Sequence, residues 1–376
     1  MLDIARIAAG LTHWFSEERR PLPWRPTNLM APRDPYATWI SETMLQQTRV
    51  DAVIAHYQRW MKRFPSIADL ACADVSEVLQ HWQGLGYYSR ARNLHKTAQI
   101  LMDHGGLFPS TRLELLDLPG IGEYTAGAIL SLALQKNEPI LDGNLVRIFS
   151  RWNQWEQLPT QGPQWKRQYW NLAAEFAQLR IPHIINEALM EFGALVCTPQ
   201  NPSCVQCKIR EHCQAFQQKS VEKFPPRTNK RAPISVEGFL LCIRSADKIL
   251  LERCFTGLLA GQWKLPLVET GSLDKETPSA KELHALFPKG IRGQKQAGKL
   301  VRHAITHHRI TLRLCSIDGV SEQTLTSTDR DWMWTPLQDI RKVLINSLSL
   351  KGLDASAPRK THRSPSPHQK PERMNP

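Results

Sequence analysis

Four thiols and two carboxylates are the groups in this sequence whose types and spacing point to chemistry. Cys197, Cys204, Cys207 and Cys213 form the pattern C-x6-C-x2-C-x5-C, four thiols within seventeen residues. In a reducing compartment such a cluster reads as a metal site rather than as disulfides. A tetrathiolate set suits either zinc or a cubane iron–sulfur cluster. Structural zinc sites usually carry two C-x2-C pairs and this segment has one, which tilts the choice toward iron–sulfur. The centre could serve only to staple a loop, and Lys208 and Arg210 would make that loop basic. The carboxylates are Asp142, in Leu141-Asp142-Gly143-Asn144, and Glu42, in a helical stretch whose apolar side carries Trp39, Ile40 and Leu45. Glycosidic cleavage uses such a pair: an acid on the leaving group and an anion beside the developing oxocarbenium ion. Asp142 fits the anion and Glu42 the acid, because apolar surroundings raise a carboxyl pKa and keep the group protonated. On these residues alone, a solvated face or a capping role is the more ordinary reading of a lone helical glutamate.

The elements that must hold these groups are helical. Leu118-Pro119-Gly120-Ile121-Gly122 reads as a tight turn, followed by a helix from Glu123 and an apolar, strand-like run into Asp142. Gly120 and Gly122 allow a turn that β-carbons would obstruct, and the helix N-terminus behind it offers free amides to a phosphate. Apolar residues recur at helical spacing over 2–18, from Tyr36, over 50–61, 89–102, 145–153, 164–179 and 184–195. No period-2 strand is evident up to about residue 217, so residues 1–218 form an all-α domain. Residues 219–235, KSVEKFPPRTNKRAPIS, are basic and Pro-rich and read as a linker. Beyond it the pattern turns to β, with apolar runs at 239–243 and 249–251 and strict alternation over 309–315. Helices are expected at 279–286 and near 336–348. The second domain is placed at 236–350, as an α+β domain, and 351–376 as a disordered basic tail.

The 376 residues carry a formal charge of +13, which suggests a polyanionic partner. No apolar run approaches the roughly 20 residues of a membrane span. The N-terminal stretch reads as an amphipathic helix rather than a signal peptide, so a cytoplasmic location is expected. Cys72, Cys242, Cys254 and Cys315 stand alone in apolar contexts and read as buried thiols.

The cysteine spacing, LPGIGEYTAGAI and LDGN together resemble the iron–sulfur branch of the helix-hairpin-helix DNA glycosylases. That resemblance implies a [4Fe–4S] cluster on Cys197, Cys204, Cys207 and Cys213. Bifunctional relatives that also cut the backbone carry lysine at the position of Tyr124, so Tyr124 implies a monofunctional enzyme. The runs PLPWR, WISETMLQQTRV, GLGYYSRARNLHK and NEALMEFGALVC resemble the MutY-type adenine glycosylases, which remove adenine mispaired with 8-oxoguanine. The likeness implies that Glu42 protonates adenine at N7 and that Asp142 stabilises the cationic sugar. Tyr124 would support the same transition state, and Asn144 would position water and Asp142. Trp24, Arg25, Leu45 and Glu187 would line the adenine pocket. Gln47, Leu85 and Tyr87 would fill the space around an extruded base, with core packing the rival role for Leu85 and Tyr87. The loop between Arg25 and Tyr36 is longer than in typical relatives.

Residues 236–350 resemble the Nudix fold through TGLLAGQWKLPLVE, but lack the Glu-rich box that holds magnesium. The likeness therefore implies binding rather than nucleotide hydrolysis. In adenine glycosylases this domain reads 8-oxoguanine through a loop commonly written F-S-H. Here the run is Ile305-Thr306-His307, which keeps a hydroxyl and an imidazole. The implied partner is double-stranded DNA containing A:8-oxoguanine or A:G, bound by a monomer, nucleoid-associated if the source is bacterial. Two rival readings are an endonuclease III-like glycosylase and lyase, which Tyr124 and Glu42 oppose, and a non-catalytic iron–sulfur DNA-binding protein. The second would leave Glu42 and Asp142 without a purpose.

Overall fold

The computed structural model describes residues 3–179, 181–227, 232–325 and 330–356. The chain divides into two compact units, Met1–Lys230 and Arg231–Pro376. Residues 228–231 of the expected linker and 357–376 of the expected tail lie outside the described residues. No helix among the described residues is long and apolar enough to cross a membrane.

The first unit is helical throughout its described residues. α1 (Ile4–Glu18) turns Ile7, Leu11, Trp14 and Phe15 inward, and Asp3 caps it by accepting from the Arg6 N–H. α2 (Pro35–Leu45) has Pro35 in its first turn and the Asp34 carboxylate accepting from the Ala37 N–H at 2.7 Å. α3 (Val50–Arg63), α4 (Ile67–Cys72), α5 (Val75–His81) and α6 (Ser89–Asp103) follow. α7 (Arg112–Leu116) and α8 (Glu123–Ala128) enclose the hairpin turn, and α8 continues as a π-helical turn over Ile129–Ala133. The sequence suggests about five helical turns between the hairpin and Asp142, ending in a strand-like run. The helix instead stops near residue 133, and residues 135–142 form neither helix nor strand. The tie at that extended run is Arg112, which pairs with Glu138 and donates to the Pro139 carbonyl at 2.9 Å. α9 (Gly143–Asn153), α10 (Pro163–Ala177), α11 (Pro182–Leu195) and the short α12 (Gln214–Gln217) complete the unit. Phe149, Trp152, Phe176 and Phe192 meet in its core, and each such side chain contributes roughly 1.5–3 kcal/mol by leaving water.

The second unit is a mixed sheet with helices. Its elements are β1 (Ile234–Ser245), β2 (Lys248–Arg253), β3 (Trp263–Lys264), β4 (Leu267–Glu269), α13 (Ala280–His284), β5 (Gln294–Ile305), β6 (His308–Asp318), β7 (Trp332–Pro336), α14 (Ile340–Val343) and α15 (Ser347–Ser356). The order is β3-β2-β1-β6-β5, with β4 paired to β1 and β7 to β2. β1 and β6 run parallel, and the other pairs are antiparallel. The run 239–243 is apolar without alternation because both faces are covered: Leu240 and Cys242 face one core, and Phe239, Leu241 and Ile243 the other.

Three boundaries differ from the sequence reading. The expected helix at 336–348 is two helices. Asn346 separates them, accepting from the Ser349 N–H and donating to the Trp263 carbonyl, each at 2.8 Å. Residues 351–356, read as the start of the tail, belong to α15, where Leu353 is buried and Gly352 lies against Leu240. Residues 234 and 235, read as linker, already belong to β1. Among the isolated cysteines Cys242 and Cys315 are buried, Cys254 is half-buried and Cys72 is exposed.

Candidate active site

Glu42 on α2, Tyr124 on α8, Asp142 before α9 and Asn144 in its first turn all line one pocket of about 380 Å³. That volume is in the range of small-ligand sites. Trp24, Arg25, Leu45 and Gln47 line it too. So do Arg20, Arg33, Met190 and Glu191, to which the sequence reading assigns no role, although Met190 and Glu191 fall within NEALMEFGALVC.

Glu42 is only 3% exposed, yet its carboxylate does not face the apolar wall that the sequence suggests. Its Oε2 accepts from the Tyr124 hydroxyl at 2.6 Å and its Oε1 from Arg33 Nη1 at 2.9 Å. The same Arg33 pairs through Nε with Glu187, which also pairs with Arg25 at 3.3 Å. Arg25 and Arg20 both bind Glu191, whose pKa is held down at about 2: burial would raise it, but hydrogen bonds from the two arginines outweigh that. The pocket is thus backed by alternating charges, and Glu187 lies within that backing, outside the pocket lining. Tyr124 is pushed well above its ordinary pKa by burial and then by the charges of Glu42 and Asp142, so it remains a hydroxyl donor.

Asp142 is the N-cap of α9. It accepts from the Leu145 N–H through Oδ1 and from Asn144 Nδ2 through Oδ2, each at 2.8 Å. Burial raises its pKa, and those hydrogen bonds partly offset the rise. Arg147 continues the chain of contacts. It donates to Asn144 Oδ1 at 2.9 Å, to the Gly193 carbonyl at 2.7 Å and to the Cys197 carbonyl at 2.7 Å. One turn on, Arg151 donates to Cys197 Sγ at 3.3 Å and to the Thr198 carbonyl at 2.7 Å. Asn144, Arg147 and Arg151 recur at i, i+3 and i+7, one helix face. Two arginines on the apolar side of an otherwise hydrophobic helix were the sequence signal for this link.

Cys197, Cys204, Cys207 and Cys213 line one small cavity walled by Trp152, Phe192, Phe216 and Val221. None of the four is in a disulfide. Four thiols lining one cavity suit either a zinc ion or a polynuclear cluster. Burial raises the pKa of Cys204, and lifts Cys207 to about 12 and Cys213 to about 11.

In the hairpin turn Gly120 has φ +80°, and a β-carbon there would meet Asn93 at 2.7 Å. Gly122 is the cap of α8, and a β-carbon there meets nothing. Thr97 fixes the turn by donating to the Pro119 carbonyl at 2.9 Å. Leu85 is buried, and Tyr87 is 44% exposed with the Arg90 guanidinium over its ring; neither lines the pocket. Thr306 and His307 belong to the second unit, where they form the two-residue turn between β5 and β6. Both are exposed.

The helical unit thus carries a hairpin turn and a pocket holding two carboxyl groups, and its sequence places it among the base-excising DNA repair proteins. Residues 40–172 match the model of the HhH-GPD superfamily base excision DNA repair protein. A solved thermostable thymine-DNA glycosylase superposes with TM-score 0.51 and 28% identity, over 57% of this chain and 97% of that one. The adenine DNA glycosylase of Rattus norvegicus is 30% identical over 93% of this chain and 77% of its own length. That of Mus musculus is 32% identical over 84% of this chain and 71% of its own. The chain belongs to the adenine DNA glycosylase family.

Proposed function

We propose that this chain hydrolyses the N-glycosidic bond of adenine mispaired with 8-oxoguanine or guanine in double-stranded DNA, without cutting the strand. The observation that carries the reading is the convergence of Glu42, Tyr124 and Asp142 on one base-sized pocket, whose lining among the described residues includes no lysine. Glu42 supplies the proton to the leaving base, and Asp142 holds the positive charge that develops on the sugar. Asn144 and the Leu145 amide orient Asp142. Gly120, Gly122 and the α8 N-terminus bind a backbone phosphate. Trp24, Arg25, Leu45 and Gln47 shape the space for the flipped base, with Glu187 behind it. The exposed Tyr87 approaches the duplex itself, whereas the burial of Leu85 supports its core-packing role.

Cys197, Cys204, Cys207 and Cys213 would hold a [4Fe–4S] cluster. Bound there, the cluster supplies a covalent cross-link that closes residues 197–213 behind Arg151 and Arg147. The second unit is read as a Nudix-like module that binds the base opposite adenine through Thr306 and His307. The endonuclease III-like alternative needs an amine where Tyr124 stands.

The test is a duplex with adenine opposite 8-oxoguanine. Wild-type protein should release free adenine and leave an abasic strand that breaks only on alkali treatment. Release of no adenine would overturn the reading, and strand cleavage without alkali would overturn its monofunctional part.

A further inference from the structure

We infer that Arg33 is a positioning residue that fixes which oxygen of Glu42 carries the transferable proton. The inference rests on the adenine-hydrolysis reading above and deepens it. Arg33 lies in the loop before α2, and a loop arginine is ordinarily solvated. Here it is 4% exposed, its N–H donates to the Leu132 carbonyl at 3.0 Å, and its guanidinium bridges Glu42 and Glu187. The Leu132 carbonyl is available because it lies near the end of the helix, where carbonyls lack intrahelical partners. Two buried carboxylates from α2 and α11 are thereby held by one planar fork, which a point charge could not span.

The hydrogen bonds then separate the two oxygens of Glu42. A guanidinium only donates. Oε1 accepts from Arg33 Nη1, 2.9 Å away, and protonating it would weaken that charge-assisted hydrogen bond. Oε2 faces the Tyr124 hydroxyl, which is a rotor. It donates to Oε2 at 2.6 Å and has a second acceptor in Met190 Sδ at 3.1 Å. When it turns to Met190 its oxygen can accept from a protonated Oε2. Glu42 therefore carries its proton on Oε2 in preference to Oε1. In the reaction the Oε2–H bond breaks and the proton passes to an adenine ring nitrogen. The O–H electron pair stays on Glu42 opposite Arg33. The glycosidic pair leaves with adenine, and the cationic sugar faces Asp142. Burial works against the charge of Arg33, but Glu187 and Glu42 outweigh it and raise its pKa, so the fork stays charged throughout.

The experiment uses the full chain and measures single-turnover adenine release against pH, with melting temperature and affinity for an uncleavable substrate-analogue duplex as fold controls. Arg33→Lys keeps the charge and loses the fork. Arg33→Met in a Glu187→Gln background removes the second carboxylate that would otherwise be left unpaired, and is compared with Glu187→Gln alone. The groups facing this cluster are Tyr124 and Asp142 from the pocket, and Arg25, His183 and Tyr57 around Glu187 and Arg33; all are retained. Arg33→Lys is expected to bind the analogue within about threefold of wild type and to release adenine at least about tenfold more slowly, a barrier change of one tenfold step or more. The double variant is expected to release adenine about tenfold more slowly than Glu187→Gln. Its rate–pH profile should differ from that of Glu187→Gln, because the guanidinium held against Glu42 is gone. Wild-type rates and an unmoved profile in these variants would show Arg33 to be a structural tie only. A wild-type chain that releases no adenine would instead remove the functional reading itself.

Discussion

The Tyr124 hydroxyl donates to Glu42 Oε2 across 2.6 Å, joining the helix behind the hairpin turn to the helix that carries the acid. Burial and the neighbouring carboxylates keep this phenol protonated, so it is a donor and not a nucleophile. A hydrogen bond to a charged group contributes about 1.5–3 kcal/mol, so Tyr124→Phe should slow adenine release by about ten- to a hundredfold. Borohydride should trap no covalent DNA adduct with wild type or with Tyr124→Phe. Tyr124→Lys should yield one, since it sets an amine beside the sugar.

Asp142 gives the fold a pH dependence opposite to that of a salt-bridged aspartate. Its folded pKa lies above the ordinary 3.8 because the buried charge is disfavoured. Between the unfolded and folded values the native state binds more protons, so stability falls as pH rises through that window. Asp142→Asn removes the titration. The difference in melting temperature, variant minus wild type, should therefore climb from about pH 4 toward neutral and then level off. The variant should release adenine at least about a hundredfold more slowly at every pH, in line with the loss of a main electrostatic stabiliser. A difference in melting temperature independent of pH would contradict the buried-charge account.

The two hairpin glycines should separate folding from DNA binding. A β-carbon at Gly120 meets Asn93 at 2.7 Å in a left-handed backbone, whereas one at Gly122 meets nothing. Gly120→Ala should lower the melting temperature. Gly122→Ala should fold normally and, if the turn binds a phosphate as proposed, weaken binding to undamaged duplex, because its methyl would stand in the phosphate's path. It should also flatten the salt dependence, by about one unit of slope for each phosphate no longer neutralised. Equal affinity and equal slope would move the phosphate site elsewhere.

Most of the helices were legible because apolar spacing encodes them, as in the stripes of α1, α3 and α6, and the turn because of its glycines. Most of the pocket residues were legible only through the resemblance of PLPWR, WISETMLQQTRV and LDGN to a known family, and that Asp142 caps α9 was not read from the sequence. What was not legible depends on pairings distant in sequence. Glu42 reads as a carboxyl against Trp39, Ile40 and Leu45, but its partners come from residues 33 and 124. Arg33 looked like part of a long, featureless loop until Glu187, 154 residues away (187 − 33), met it. α14 and α15 merged into one expected helix because the break depends on Asn346 bonding Trp263 and Ser349, and periodicity alone does not reveal that.

Removal of a cluster ligand should reach the pocket through α9. Cys213→Ser leaves three thiols where four converge, and the loop 197–213 is then no longer cross-linked. Arg147 and Arg151 hold that loop through the carbonyls of Cys197 and Thr198. Purified wild type should show iron and broad visible absorbance, and the variant should show neither and release adenine at least about tenfold more slowly. Since Cys207 and Cys213 are pushed up to about 12 and about 11, ligation must expel their protons. Iron retention should therefore fall as pH is lowered. Equivalent zinc in place of iron would sink the cluster assignment.

The turn Thr306–His307 bears on recognition of the opposite base. Thr306 sits at φ +53°, a left-handed conformation that costs a β-branched residue about 1–3 kcal/mol. Asparagine adopts it more readily, so Thr306→Asn should hold or raise the melting temperature. If the hydroxyl and imidazole read 8-oxoguanine, Thr306→Asn combined with His307→Ala should abolish most of the preference for A:8-oxoguanine over A:G. A bidentate pairing with a base is worth about 1–3 kcal/mol of discrimination. The rate on A:G should change little, because the variant leaves Glu42 and Asp142 unaltered. Retained preference in a variant that folds would place lesion reading outside this turn, and an equal loss on both mispairs would make the turn a general DNA contact.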